Sequence, residues 1–183
     1  QLDLVAVILD LRHQVAVQPL HRAAFDGHKA GAERLIAQGD DINRRGSTGG
    51  TPLHEAAFKG NVPVVDSRPA HSAKVNIRNE AGRTPLHRAA FMGRRDVAET
   101  LIRRGAKVGV RNSEGRTPLH RAAFKGHADV AELLIDHGAN VNAKAKDGST
   151  PLHRAAGNGH WTVAKLLVEC GADLNAKNKR GWT

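Results

Sequence analysis

The stretch TPLHRAAFKGHADVAELLIDHGANVNA, residues 117–143, decides the architecture, because its skeleton returns four more times at a fixed distance. Pro-Leu-His stands at 19–21, 52–54, 85–87, 118–120 and 151–153, each 33 residues after the last. Thr precedes it at Thr51, Thr84, Thr117 and Thr150, and Thr183 falls where a sixth copy would begin. Two alanines follow one residue later in every copy, from Ala23-Ala24 to Ala155-Ala156. Five phased copies mark a repeat array rather than one conventional domain.

Each part of the unit has a physical task. Thr is suited to the N-cap of a helix and Pro to its first position. Paired alanines let neighbouring helices approach closely. Gly27, Gly60, Gly93, Gly126 and Gly159 stand where a left-handed residue ends a short first helix. A second apolar run follows, clearest in Val130-Ala131-Glu132-Leu133-Leu134-Ile135, and stops at Gly138. Val141-Asn142 and a polar turn then lead to the next Thr. One unit is too small to bury its apolar face alone, so units must stack.

These residues resemble the ankyrin-repeat family: T-P-L-H-x-A-A, the pair Gly126-His127, L-L-I-x-x-G-A and V-N-A, across residues 18–182. The resemblance implies an all-α repeat solenoid of helix-turn-helix units with hairpin-like fingers near a right angle. It also implies that fingers and first helices form a concave face that binds other proteins. The expected layout is a capping segment at 1–17 and a repeat domain at 18–183, with repeats 18–50, 51–83, 84–116, 117–149 and 150–182. Leu2, Val5, Ile8 and Leu9 give residues 1–17 a partial helical face. The chain opens on Gln1 and closes on Thr183, so both ends read as cut.

Two repeats depart from the pattern. In the second, Ser67 and Arg68 take the leucine positions, Pro69 follows, and Ser72 replaces the terminating Gly. An interior helical Pro costs about 3 kcal/mol and each lost buried Leu roughly 2–5 kcal/mol. A shortened or irregular second helix is expected over 63–70. In the first repeat Gln18 replaces Thr, while Gly31 and Arg34 replace Val and Leu. Stability should rise toward the C-terminal repeats. No polar cap follows the fifth repeat, which should expose apolar surface and invite end-to-end association.

Charge is the outlying property: 28 Lys+Arg against 18 Asp+Glu, a net +10. Fingers and first helices carry +13 of it, second helices with their following loops −2, and residues 1–17 −1. The excess therefore belongs to the concave side, and partners of negative potential are favoured. One basic ladder runs along the fingers: Arg45, Arg78, Arg111, Lys144 and Lys177. Another follows the motif His: Arg22, Arg88, Arg121 and Arg154, interrupted by Glu55. All four phenylalanines share the position after Ala-Ala: Phe25, Phe58, Phe91 and Phe124, with Gly157 in the fifth copy. They either form an exposed aromatic ladder or pack between successive first helices.

Several classes of function are disfavoured. Of the eleven histidines, eight fall one per repeat in two series, His13, His71 and His137 stand outside them, and neither series is clustered at metal-ligand spacing. No phosphate loop, nucleophile elbow or carboxylate pair is present, so neither enzyme nor cofactor is expected. No stretch approaches the ~20 apolar residues of a membrane span. The lone Cys170 excludes an internal disulfide and fits a reducing compartment, so an intracellular, cytoplasmic place is expected, with the nucleus or a host-cell cytosol as alternatives. The reading reached is a non-catalytic module that binds an acidic protein surface through a basic concave face. Nucleic-acid or polyanion binding and end-to-end self-assembly are the alternatives.

Overall fold

In the computed structural model, residues 18–66 and 73–183 are described. The expected capping segment 1–17 and residues 67–72 lie outside them. Where the 33-residue unit is intact, Thr-Pro starts an eight-residue helix and Gly ends it. The first helices are α1 (Pro19–Asp26), α3 (Pro52–Lys59), α5 (Pro85–Met92), α7 (Pro118–Lys125) and α9 (Pro151–Gly157). Their partners are α2 (Lys29–Ala37), α4 (Val62–Val65), α6 (Arg95–Arg103), α8 (Ala128–Asp136) and α10 (Trp161–Glu169). No strand occurs among the described residues.

The Gly that ends each early first helix is required twice over at Gly126. Its φ is +78°, a region L side chains avoid, and a Cβ there would lie 2.6 Å from Nδ1 of His160. In the fifth repeat the first helix is one residue shorter, ending at Gly157 in the Phe position and closed by Asn158.

First helices pack on first helices in an unbroken row. Ala56, Ala57, Ala89, Ala90, Ala122 and Ala123 are fully buried there, and their small side chains set the close approach. Leu86, Leu101, Leu119, Leu134 and Leu167 fill the layer between the two helix rows. The fingers are turns joined by backbone bonds: Ser113 donates its N–H to the Ala81 carbonyl (3.1 Å) and Lys146 to Glu114 (2.9 Å).

The second repeat is the irregular one. Its second helix is four residues long where the other four have nine. Val65 is still fully buried, but the helical backbone stops at Asp66, short of the degraded positions. The apolar core divides beside it, within the first repeat: Leu20, Ala32 and Ile36 form one cluster, and a second runs from Ala24 through Leu53 and Val65 to Ala172. The first repeat is weak in the way its sequence foretells. Gln18 makes no side-chain cap, and Nδ1 of His21 is buried without a partner.

Candidate functional site

The site begins with the histidine of Thr-Pro-Leu-His. At Thr117, the backbone N–H donates to Nδ1 of His120 at 3.2 Å, and the threonine hydroxyl lies 2.9 Å from the same nitrogen. Nε2 of His120 lies 3.0 Å from the Ser149 carbonyl, 29 residues on. A carbonyl only accepts, so Nε2 carries the proton and Nδ1 the lone pair. The same pattern recurs at His54, His87 and His153. These rings tie each first helix to the end of the following finger. Burial, more than the neighbouring arginines, pushes His54, His87 and His120 from 6.5 down to about 4.

With the helix start fixed, the next residue and the one after Ala-Ala project together. The guanidinium of Arg88 sits 5.3 Å from the Phe58 ring centre, and that of Arg121 sits 4.4 Å from Phe91. Lys125 reaches Phe91 at 4.8 Å and Phe124 at 5.8 Å, and Lys59 reaches Phe25 at 4.3 Å. Phe91 and Phe124 stack with centroids 6.4 Å apart and planes 13° apart. All four phenylalanines are half-buried. The two ladders read separately in the sequence thus interleave in the middle of the stack, where Arg88 and Arg121 are held over aromatic faces.

The finger ladder is spent differently. Arg45 donates through Nη1 to the Arg78 carbonyl at 2.7 Å, Arg78 donates to the Arg111 carbonyl, and Arg111 to the Lys144 carbonyl. Each guanidinium staples its finger to the next while remaining exposed. Lys144 and Lys177 are exposed. Arg22 and Arg154 are partly neutralised, by Asp26 and Asp147 respectively. The Asp147 carboxyl is held below its usual range by its hydrogen bonds to Ser149 and by Arg154, against a desolvation that pushes the other way.

Sequence reading passed over Arg83 and Arg116. They occupy the residue before the capping Thr, which is Gly50, Ser149 or Trp182 in other copies. The 33-residue register places both next to the helix ladder, so aligning that column would have found them. Arg121 lies at their centre. Its burial chiefly, with the charge of Arg83 and smaller effects of Arg116 and Arg88 opposed by Glu114, lowers it to about 10. It remains a cation at neutral pH. Among the described residues, no group of three His, Cys, Asp or Glu could hold a metal, and no helix is long and apolar enough to cross a membrane.

A family model described as ankyrin repeats (3 copies) matches residues 20–112 and 101–178. The chain belongs to the ankyrin-repeat family, whose members are in general protein–protein interaction modules. No curated protein matches it.

Proposed function

We propose that this chain is a non-catalytic binding module that holds an acidic protein surface on its basic concave face. The observation that carries the reading is the interleaving of Arg88, Arg121 and Lys125 with Phe58, Phe91 and Phe124. Aromatic rings supply contact area at low entropic cost, and stacked cations are already ordered before a partner arrives. The finger arginines contribute field more than contact, since their donors go to carbonyls of the next finger. That favours a protein partner on the helix ladder over a nucleic-acid backbone tracked along the fingers.

Calorimetry with poly-glutamate tests the face. Binding should weaken with added salt and be lost when Arg88, Arg121 and Lys125 become Glu, with the helical dichroism unchanged. Equal affinity in that triple variant would remove the face as the site.

A second reading is favoured by the far end of the stack. Trp161 is 79% exposed, Trp182 65%, Leu174 60% and Val168 41%, and Trp161, Leu174 and Val168 line a groove of about 580 Å³ beside Leu152 and Ala164. Such a face supports stacking of one solenoid on another. Sedimentation should then show mass rising with concentration, and Trp161→Ser with Leu174→Ser should abolish the rise. Constant monomer mass would end that reading.

A further inference from the structure

Arg121 is only 9% exposed. A desolvated cation is ordinarily matched by a carboxylate, because burying it alone is costly. The ion pairs among the described residues use Arg22, Lys29, Arg103, Arg116, Arg154 and Lys165, and none uses Arg83, Arg88 or Arg121. The Nε atoms of Arg83, Arg88, Arg116 and Arg121 are all buried without a hydrogen-bond partner. Arg83 and Arg88 bracket one Thr-Pro-Leu-His turn, and Arg116 and Arg121 bracket the next. The one ion pair in the group is that of Arg116 with Glu114, 2.9 Å from Nη1, and Glu114 also accepts from Asn112. Three of the four guanidiniums, Arg83, Arg88 and Arg121, therefore hold no ion pair.

The stacking geometry adds a direction. Phe58 and Phe91 cover one face of Arg88 and Arg121. A guanidinium lying on a ring presents its N–H donors along its edges, where a planar or tetrahedral oxyanion can be gripped by two of them.

We propose that Arg83, Arg88, Arg116 and Arg121 form a site for a phosphomonoester dianion carried on a side chain of the bound polypeptide. This rests on reading the concave face as protein-binding and deepens it. An aspartate or glutamate brings one charge and two oxygens, which leaves most of the cluster unmatched. A phosphorylated serine or threonine brings nearly two charges and three acceptor oxygens, which suits three guanidiniums that hold no ion pair.

The test follows the arginine Nε–Hε resonances of the isotope-labelled full chain by NMR, above the second phosphate pKa of about 6. The probes are a tripeptide with central phosphoserine, the same tripeptide with aspartate, and a short oligothymidylate. The phosphoserine tripeptide should shift Arg83, Arg88 and Arg121 saturably, with about tenfold higher affinity than either other probe. Arg121→Lys keeps the charge but loses the fork, and should weaken binding about tenfold. Arg88→Gln, at a half-buried position, should do the same and serves if the first variant loses its fold. Equal affinity for phosphoserine, aspartate and oligothymidylate would overturn the site, as would shifts spread evenly over all arginines. Poly-glutamate binding with no phosphoserine preference would leave the acidic-partner face standing and remove only this site. Phosphoserine binding without poly-glutamate binding would do the reverse.

Discussion

At the scale of single residues, the motif histidine gives both the structural tie and a pH limit. His54, His87 and His120 accept a backbone N–H on Nδ1, so protonating that atom would oppose two donors inside the core. Above pH 6.5 folded and unfolded chains both hold these rings neutral. Between 6.5 and about 4 the unfolded chain takes up protons that the folded chain refuses. Stability therefore falls as pH falls through that window, by roughly 3 kcal/mol for each ring, and levels off below it. Urea midpoints measured across the window check this, and a flat profile would contradict it. A second residue-scale prediction comes from a gap in a ladder. Asn76 accepts from the Lys107 N–H (2.9 Å) and donates to the Gly105 carbonyl (2.9 Å), tying two repeats. Asn142 repeats the tie with Asp173 and Gly171. The equivalent residue between them is Gly109, whose φ is not left-handed and around which nothing lies within 4 Å of an added Cβ. Gly109→Asn should accept from the Asn140 N–H and donate to the Gly138 carbonyl. Each net bond is worth about 1 kcal/mol, so the urea midpoint should rise. An unchanged or lower midpoint would refute the transfer of this contact.

Among the elements, α4 shows how far sequence can be read and where it stops. The helix boundaries follow from Thr-Pro at one end and Gly at the other, and the weakness of the second repeat follows from Ser67, Arg68 and Pro69. What the sequence hides is compensation from a distance. Arg104, two helices on in sequence, donates to the Val65 carbonyl at the frayed end, and Arg103 lies 3.9 Å from Asp66. Nothing in a 33-residue register announces that contact. The same holds for Arg121: its charge was plain, but its burial depends on Phe91 and two finger ends that meet only in the stack. In the sequence the finger arginines make a cationic row, yet their donors are used on carbonyls because repeat spacing happens to match the reach of a guanidinium. For α4 the consequence is measurable. Val65 and Asp66 each close a single helical turn, to Asn61 and Val62, whereas the amides of α8 sit within nine helical residues. Hydrogen exchange should be far faster at Val65 than at Leu134, by about a hundredfold or more. Equal protection would show that the second repeat is as firm as its neighbours.

For the whole molecule, stability is a sum of repeat terms and of interfaces between neighbours. The first-helix row is continuous, but the second-helix row is reduced to four residues at α4, and the apolar core is in two clusters, a small one within the first repeat and a large one that takes in Val65 and the later repeats. The first repeat adds an uncapped start and a buried, unpaired Nδ1 at His21. Repeats three to five retain the capping threonines, and their second helices are full length. Cooperativity in such a stack depends on interfaces being stronger than the differences between units. Here the weakest interface lies beside the weakest units. The two parts should separate on unfolding: residues 19–66 should lose exchange protection at a lower urea concentration than residues 84–169, with an intermediate that keeps its C-terminal helices. Exchange mass spectrometry at stepped urea resolves this directly. Single coincident loss of protection along the chain would mean that the row of buried alanines couples all five repeats across the thin place. In that case Ala57→Gly, which opens the row there, should split the transition in two. The concave arginine cluster runs from Arg83, the last residue of the second repeat, through the third repeat to Arg121 in the fourth, so three of its four members lie on the firmer side of the break. A phosphoserine probe should therefore raise the second transition and leave the first where it was.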